Sequence, residues 1–325
     1  MTWLAWRQAR GPIAVAAAAV VAVALVAADA GRADATVRLW LSTVVVVAPG
    51  LLGVFLGAPL VAEELQSGTF RLAWTQDAGR VRWLALRLVV TAAACVAAAG
   101  LVSWIVTWWA GPVDRAGLDQ FGSFDSRDIV PVGYAAFAFT LGALAGALAR
   151  KTVPAMVVTL VAFTAARSTF RLLVRPHLLP PLVKAVPLDP ATTGYGSSGM
   201  WPFIPGPALQ PAPPGIPDAW ITSVSILDRG GRGLTGSELA RMCPGIGQRP
   251  AGRAPGGGSG HAQAPPGVVS AMHECVTRVA ATYHEVVAYQ PASRYWPLQW
   301  LELGIFLAAA LLVAGACAWQ VRRIG

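Results

Sequence analysis

The residues of this chain that could support redox or metal chemistry lie in one polar stretch of its C-terminal half. In an oxidising compartment, Cys243 and Cys275 would form a disulfide that closes a loop of about 30 residues and contributes about 3 kcal/mol. Two free buried thiols are the alternative. His273 and His284, each beside a glutamate, could join Cys275 around a metal ion. Their spacing matches no zinc motif, so we expect no metal.

Motifs for catalysis or ATP binding are missing from the sequence. The only lysines are Lys151 and Lys184, and neither follows a glycine-rich loop, so no G-x-x-x-x-G-K-[ST] phosphate-binding loop occurs. Neither a G-x-S-x-G nor an H-E-x-x-H pattern is present. We therefore predict that the chain is not an enzyme and that it binds no cofactor of its own.

The composition indicates the class of protein to which the chain belongs. Of the 325 residues, 55% are hydrophobic and 13% are charged, whereas soluble domains carry about 25% charged residues. Crossing a bilayer takes about 20 apolar residues. The qualifying stretches are residues 11–28, 39–62, 84–110, 129–149, 152–173 and 297–319. They show no polar alternation, so we predict an all-α polytopic membrane protein with six transmembrane helices.

The distribution of Lys and Arg among the short loops predicts the orientation of these helices. If the N-terminus is inside, the inner loops and tails carry Arg7, Arg10, Arg71, Arg80, Arg82, Arg87, Arg150, Lys151, Arg322 and Arg323. The outer loops then carry only Arg32, Arg38, Arg115 and Arg127. We expect both termini and the loop 63–83 to be cytoplasmic, in a multi-pass protein of the cell membrane. The net charge of +9 follows this topology, so no nucleic-acid partner is predicted.

The first apolar stretch has two interpretations. Its basic start, its apolar core and the Ala-Asp-Ala sequence at 28–30 resemble a signal peptide with a cleavage site. The core is slightly longer than is usual in signal peptides, and Trp3 and Trp6 lie one turn apart, as in an interfacial anchor. We favour a retained helix.

The long segment before the last span is predicted to form a small extracytoplasmic cap. Residues 176–296 contain 18 Pro and 17 Gly, a share near that of low-complexity sequence. Two islands are expected to be ordered: a strand over 219–227 and a helix followed by a strand over 267–289. Thr235 and Glu238 have the spacing of a capping box. The domains are then 1–175 with the first five helices, 176–296 with the α+β insertion, and 297–325 with the sixth helix and a cytoplasmic tail.

Glu302 is an ionisable residue about one turn into the sixth span, where a lone carboxylate would be costly. Arg167, Arg171 and Arg175 recur every four residues at the outer end of the fifth span, so they share one helix face. We predict an ion pair between Glu302 and this face, with Arg167 and Arg171 as the first candidates. The alternative places Glu302 among the lipid headgroups, beside the belt residues Trp296 and Trp300.

The loop 63–83, with the sequence EELQSGTFRLAWTQDAGRVRW, resembles a family motif. The matching positions are Glu63, Glu64, Gly68, Thr69, Leu72, Thr75 and Arg80. This pattern, six spans, two inner termini and an insertion before the last span together resemble the ABC type-2 transporter permeases. The phrases GAPLVAEELQSGTFRLAWTQ and YQPASRYWPLQW look like those of a subgroup of actinobacterial exporter permeases.

The resemblance implies a mechanism with separate subunits. Such permeases pair with a second permease copy or homologue and bind an ABC ATPase subunit, which uses ATP and Mg. A short coupling helix in the loop would dock on that ATPase. Thr69 or Ser67 could cap this helix, and Leu72 could contribute to its apolar ridge. The alternative is a solvated interfacial turn with Trp74 and Trp83 among the headgroups.

The nearly uncharged spans suit a lipophilic or amphipathic substrate of an exporter. Two pairs of glycines, Gly53 with Gly57 and Gly142 with Gly146, would allow close helix packing. A membrane-anchored sensor or binding protein that uses its cap is one alternative function, and a membrane-embedded enzyme without a catalytic constellation is another. A secondary transporter is a further alternative, although such proteins usually place ionisable groups near the bilayer midplane.

Overall fold

A computed structural model of the chain describes residues 35–67, 80–114, 121–189, 194–197, 207–210, 219–244 and 266–323. The described helices are α1 (Ala35–Leu52), α2 (Ala58–Ser67), α3 (Arg80–Asp114), α4 (Val130–Ala149), α5 (Thr152–Thr169), α6 (Gly236–Met242), α7 (Pro266–Ala280) and α8 (Tyr295–Arg323). The described strands are β1 (Leu182–Pro187), β2 (Gly194–Ser197), β3 (Pro207–Gln210), β4 (Trp220–Asp228) and β5 (Tyr283–Gln290).

The chain forms two compact units. The helical unit lies within Met1–Pro180 and Ala292–Gly325, and the α+β unit lies within Pro181–Pro291. Two π-helical turns modify the helical unit: Gly53–Gly57 joins α1 to α2, and Phe170–Val174 extends α5 into a 3-10 turn at Arg175–His177.

Five segments among the described residues are long and apolar enough to cross a membrane. They are Trp40–Glu63, Leu88–Trp109, Val130–Ala149, Thr152–His177 and Ala292–Arg323. They correspond to the second through sixth predicted spans. The first predicted span, residues 11–28, lies outside the described residues. The described part of the protein is thus mostly helical, with five candidate membrane-spanning helices and a small sheet.

Helix α4 is the centre of the helical unit. It packs against α1, α2, α3, α5 and α8. Two-thirds of its most apolar stretch is buried inside the protein. Aromatic rings fill one side of this contact, where Phe306 of α8 meets Tyr134 and Phe137 of α4 edge-on. The helix that makes most of these contacts is therefore also the one least exposed to the surroundings.

The glycine pairs lie where the π-helical turn of Gly53–Gly57 crosses α4. A methyl group added to Gly142 would collide with the carbonyl oxygen of Gly53, and one added to Gly146 would collide with the carbonyl oxygen of Ala58. Only a hydrogen atom fits at these two positions, so the backbones of the two helices approach closely, as expected of small residues in membrane helices.

The α+β unit contains an antiparallel sheet in the order β1-β5-β4 and a separate β2-β3 pair. The predicted strand 219–227 is β4, and the predicted helix and strand over 267–289 are α7 and β5. Strand β1 was not predicted, because its sequence LVKAVP lacks apolar–polar alternation and it is an edge strand with mostly exposed residues. The core of this unit consists of Leu188, Leu239, Cys243, Cys275, Val276 and Val279.

A capping box begins α6. The backbone N–H of Glu238 donates to the Thr235 side chain, and the Thr235 N–H donates to the Glu238 carboxylate at 2.9 Å. The hydrogen bonds that the Thr235 N–H and hydroxyl donate to the Glu238 carboxylate hold the pKa of Glu238 below its usual range. The spacing of a threonine and a glutamate three residues apart was therefore a correct signal for this helix start.

Candidate functional site: a buried charge cluster at one end of the helix bundle

The connection between α3 and α4 packs against α8 through its aromatic residues. The rings of Phe121 and Phe124 both meet Tyr295 of α8 edge-on, with centroids 5.4 Å apart in each case. Phe124 begins a 3-10 turn that contains Asp125, and Asp125 is buried. The aromatic packing thus carries a carboxylate of this connection into the bundle.

Arg175, in the 3-10 turn after α5, joins two carboxylates. Its Nε donates to Glu302 Oε2 and its Nη2 donates to Glu302 Oε1, both at 2.8 Å. Its Nη2 also pairs with Asp125. The side chain of Arg175 is 7% exposed and that of Glu302 is fully buried. The bidentate geometry satisfies both oxygens of a carboxylate that would otherwise be buried and unpaired.

Tyr134 of α4 completes what we call the charge cluster: Asp125, Tyr134, Arg175 and Glu302. Its hydroxyl accepts from Arg175 Nη2 at 3.1 Å. The same hydroxyl is within hydrogen-bond reach of Glu302 and, at 3.1 Å, of Asp125. A hydroxyl has one proton, so it donates to one of these carboxylates at a time. Every polar group of the cluster therefore has a partner.

The charge state of Asp125 follows from its neighbours. Burial opposes its ionisation, but the charge and hydrogen bond of Arg175, with smaller contributions from Arg167 and Arg171, outweigh burial and hold the pKa of Asp125 below its ordinary value. The group is therefore a carboxylate at neutral pH, as the ion pair requires.

Gln299 of α8 fastens the start of α4 beside the cluster. Its Oε1 accepts from the Val130 N–H at 3.1 Å, and its Nε2 donates to the Phe124 carbonyl at 3.2 Å. The Tyr295 hydroxyl accepts from the same Nε2 at 3.2 Å and donates to the Asp128 carboxylate at 2.5 Å. An N–H at a helix start, which has no partner within the helix, is thereby satisfied.

Asp128 fastens the same connection to α3. Its φ of 57° is in the left-handed region, which is uncommon outside glycine. The backbone N–H of Asp128 donates to Thr107 Oγ1 at 3.1 Å, and Ser103 Oγ donates to the Asp128 carbonyl at 2.9 Å. Both backbone groups of this strained residue are held by side chains of one helix, which stabilises its conformation.

The predicted ion pair of Glu302 exists with a different arginine. The sequence favoured Arg167 and Arg171, whereas the structure places Arg175 against Glu302. The reason is the π-helical turn Phe170–Val174. This turn contains Arg171 and separates Arg167 from Arg175, so the α-helical spacing of four residues does not determine which arginine meets Glu302.

The other two arginines have different partners. Arg171 lies 3.4 Å from the Asp125 carboxylate, and its side chain is 61% exposed. Arg167 places its guanidinium 4.5 Å from the centre of the Tyr134 ring and donates to the Val46 carbonyl. Arg167 thus binds an aromatic face and a backbone oxygen instead of Glu302.

The tryptophans of the headgroup alternative for Glu302 lie near it on α8. Trp296 and Trp300, on the same helix, are 50% and 61% exposed. Glu302 is about 10 Å along the axis from the first residue of α8. The charge cluster therefore lies near the end of the helix, at the level of these tryptophans and away from its middle.

The structure describes part of the predicted coupling segment. Glu63 is exposed in the last turns of α2, and Glu64 follows it in the same helix. Arg80 is the first residue of α3. Gly68, Thr69, Leu72 and Thr75 lie outside the described residues.

The coupling segment begins at the end of the bundle opposite the charge cluster. Thr152, the first residue of α5, donates to the Gln66 side chain at 3.3 Å. Val61 of α2 packs in one apolar cluster with Ala147 of α4 and Val321 of α8. The C-terminal ends of α2, α4 and α8 and the start of α5 therefore share one end of the bundle.

The two cysteines of the α+β unit form a disulfide. Cys243 and Cys275 are bonded, with their Cα atoms 5.4 Å apart, and both are buried in the core of this unit. The sulfur of Cys275 is therefore not available to a metal ion. Among the described residues no group of three or more His, Cys, Asp or Glu could hold one.

Residues 27–175 match a family model described as ABC-2 membrane transporter related. This region is therefore similar to the membrane proteins of the ABC-2 family. No curated protein and no solved structure matches the chain. This similarity and the five described helices that are long and apolar enough to cross a membrane support a multi-pass membrane protein. Members of the ABC-2 family generally work with an ABC ATPase. Family members are transport components and are not themselves catalytic.

Most of the charge cluster lies within the residues that match the family model. Asp125, Tyr134 and Arg175 lie within the matched residues, and Glu302 lies beyond them on α8. The cluster therefore connects the helices of the matched region to α8.

Sequence reasoning missed two members of the cluster, Asp125 and Tyr134. A signal was available for Asp125, because Phe121 and Phe124 precede it in the sequence FGSFD, and two aromatic residues in a short connection favour burial. Tyr134 had no comparable signal, because a tyrosine in an apolar helix is equally typical of a packed core.

Proposed function

We propose that this chain is the membrane-spanning subunit of an ATP-driven ABC exporter that moves a lipophilic or amphipathic substrate across the cytoplasmic membrane. The observation that carries the proposal is the ABC-2 match over residues 27–175, in a chain with five described helices able to cross a membrane. A separate ATPase subunit binds ATP and Mg, and a second permease copy or homologue completes the substrate path.

The ATPase docks on the segment 63–83, on the side where both chain termini lie. The end of α2 and the start of α5 share one end of the bundle, through the hydrogen bond between Gln66 and Thr152. The exposed pair Arg150 and Lys151 lies in the turn before α5, so this end carries positive charge. Positive charge beside membrane spans favours a cytoplasmic location, which is where an ATPase is available.

The exposed surface of the helices supports an apolar or amphipathic cargo. Large apolar side chains are exposed on α1, α3, α5 and α8, among them Val47, Leu101, Val161 and Leu311. The Asp, Glu, Lys and Arg residues within the described candidate spans, outside their terminal turns, are Arg167, Arg171 and Glu302, and they lie near one end of the bundle. A cargo with a large apolar part would meet few charged groups along these helices.

The disulfide supports an extracytoplasmic location of the α+β unit. Structural disulfides persist in oxidising compartments and are rare in the cytosol. Cys243 and Cys275 are buried and bonded in the core of this unit. The unit would then fold outside, between the fifth and sixth membrane helices of the chain.

Co-expression with a candidate ABC ATPase subunit tests the proposal. We expect the ATPase to co-purify with the wild-type chain, and we expect association to be lost when Glu63 and Glu64 are both changed to Ala. The matched control is Glu274→Ala, because Glu274 is an exposed acid of the α+β unit. Membrane insertion should be unchanged in all variants.

Two results would contradict this proposal. Purified chain that neither binds nor requires an ATPase would remove the exporter function. Normal ATPase assembly and normal transport in the Glu63→Ala/Glu64→Ala variant would leave the exporter function standing and would remove the docking role of the segment.

A further inference from the structure

The arginines around the charge cluster outnumber its carboxylates. Arg167, Arg171 and Arg175 all act on the charge of Asp125, and Glu302 is the other carboxylate of the group. These three guanidinium groups and two carboxylates together carry a net charge of +1.

Arg171 is the most exposed of these three arginines. Arg175 occupies Glu302 with two hydrogen bonds and also pairs with Asp125. Arg171 has one contact among the described residues, at 3.4 Å to the oxygen of Asp125 that Arg175 does not take. A guanidinium has five N–H donors, so most donors of Arg171 are available to a ligand.

The surroundings of Arg171 are those of a lipid-facing surface. The two residues that follow it, Leu172 and Leu173, are 69% and 66% exposed. Exposed tryptophans, Trp296 and Trp300, mark the headgroup level on the neighbouring part of α8. A guanidinium at this level, with apolar side chains beside it, is placed to meet a phosphate and acyl chains together.

We propose that Arg171 binds the phosphate of an anionic phospholipid, whose single net negative charge balances the excess positive charge of the cluster together with Arg167 and Arg171. The phosphate accepts hydrogen bonds from the free side of the Arg171 guanidinium, and the acyl chains lie along Leu172 and Leu173. This lipid site does not depend on the proposed export activity, because it requires only the resting bundle in a membrane.

The test uses the full chain in lipid nanodiscs of phosphatidylcholine that contain a photoreactive phosphatidylglycerol. After irradiation, the labelled peptides are mapped by mass spectrometry. We expect labelling of the segment 168–175 in the wild type, about a fivefold loss in Arg171→Gln, and retention in Arg171→Lys. One arginine near a membrane surface contributes about 1 kcal/mol, which corresponds to that factor.

The matched control is Arg322→Gln, which removes an exposed arginine near the other end of α8. It should leave the labelling of 168–175 unchanged. Because Arg171 is largely exposed, we expect Arg171→Gln to fold. If it does not, the salt dependence of labelling in the wild type serves instead, since a charge-driven contact at the surface weakens as ionic strength rises.

Three outcomes would overturn the lipid site. The first is equal labelling of 168–175 in Arg171→Gln and wild type, or in the wild type at low and high salt. The second is equal labelling by a photoreactive phosphatidylcholine, which would show that net lipid charge is irrelevant. The third is loss of labelling when inorganic phosphate replaces chloride at constant ionic strength, which would identify a small-anion site.

Discussion

Arg175 and Glu302, which lie 127 positions apart in the chain, form a bidentate ion pair that ties the end of α5 to α8. Asp125 and Tyr134 bring the α3–α4 connection and α4 into the same cluster. One group of four side chains therefore holds together parts of the chain that are distant in sequence.

Removal of the Glu302 charge should loosen this end of the bundle. Glu302→Gln leaves Arg175 buried beside a neutral amide, and breaking a buried pair costs about 3–5 kcal/mol. We expect a lower thermal unfolding midpoint in detergent and a lower yield of folded protein. Glu274→Gln, at an exposed site, is the control. A wild-type midpoint in both Glu302→Gln and Glu302→Ala would show that the pair does not stabilise the fold.

Stability should fall in acid through Asp125. Its pKa in the folded protein is below the ordinary value of 3.8, so the unfolded state binds a proton first as the pH falls. The contribution of Asp125 to stability is complete at pH values well above 3.8. It is lost as the pH falls through the pKa that Asp125 has in the folded protein. We expect the difference in unfolding midpoint between wild type and Asp125→Asn to shrink from pH 7 to pH 3. A constant difference over this range would contradict the assignment.

The contact between the π-helical turn and α4 should not tolerate a larger residue. In Gly142→Ala, the added methyl would collide with the Gly53 carbonyl, and overpacking costs about 1–3 kcal/mol. The control is Gly315→Ala, because a methyl there meets nothing within 4 Å. We expect the folded yield by size-exclusion chromatography to drop only in the first variant. An equal yield of both would show that the two helices can separate without cost.

The disulfide should be visible by thiol counting. Unfolded protein without reductant should expose two thiols, from Cys95 and Cys317, and four after reduction. The double change Cys243→Ser and Cys275→Ser should make the α+β unit sensitive to protease, since loss of a native disulfide costs about 2–5 kcal/mol. Cys95→Ser is the control, and protease resistance equal to wild type in the double variant would contradict a stabilising role.

Much of the fold could be predicted from the sequence because its signals are local. Long apolar runs identify membrane helices, and the pair Thr235 and Glu238 identifies a helix start by its spacing alone. The cysteine pairing could be predicted because only Cys243 and Cys275 lie outside the apolar spans.

The charge cluster could be predicted only in part, because its geometry is not local. A spacing of four residues places Arg171 and Arg175 on one face only while the helix stays α-helical, and the turn Phe170–Val174 departs from that geometry. The position of Asp125 depends on how two phenylalanines pack against Tyr295, a residue about 170 positions away. No periodicity in the sequence encodes such a contact.

The chain leaves the helical unit after Pro180 and returns to it before Ala292. Arg294 donates to the Pro180 carbonyl at 2.5 Å, so the points of departure and return are adjacent. An insertion whose two ends meet can be exchanged with little change in the host, because the host closes the same gap with or without it. The α+β unit is in this sense a replaceable module, and a short linker between residues 180 and 292 could take its place while the helices keep their contacts.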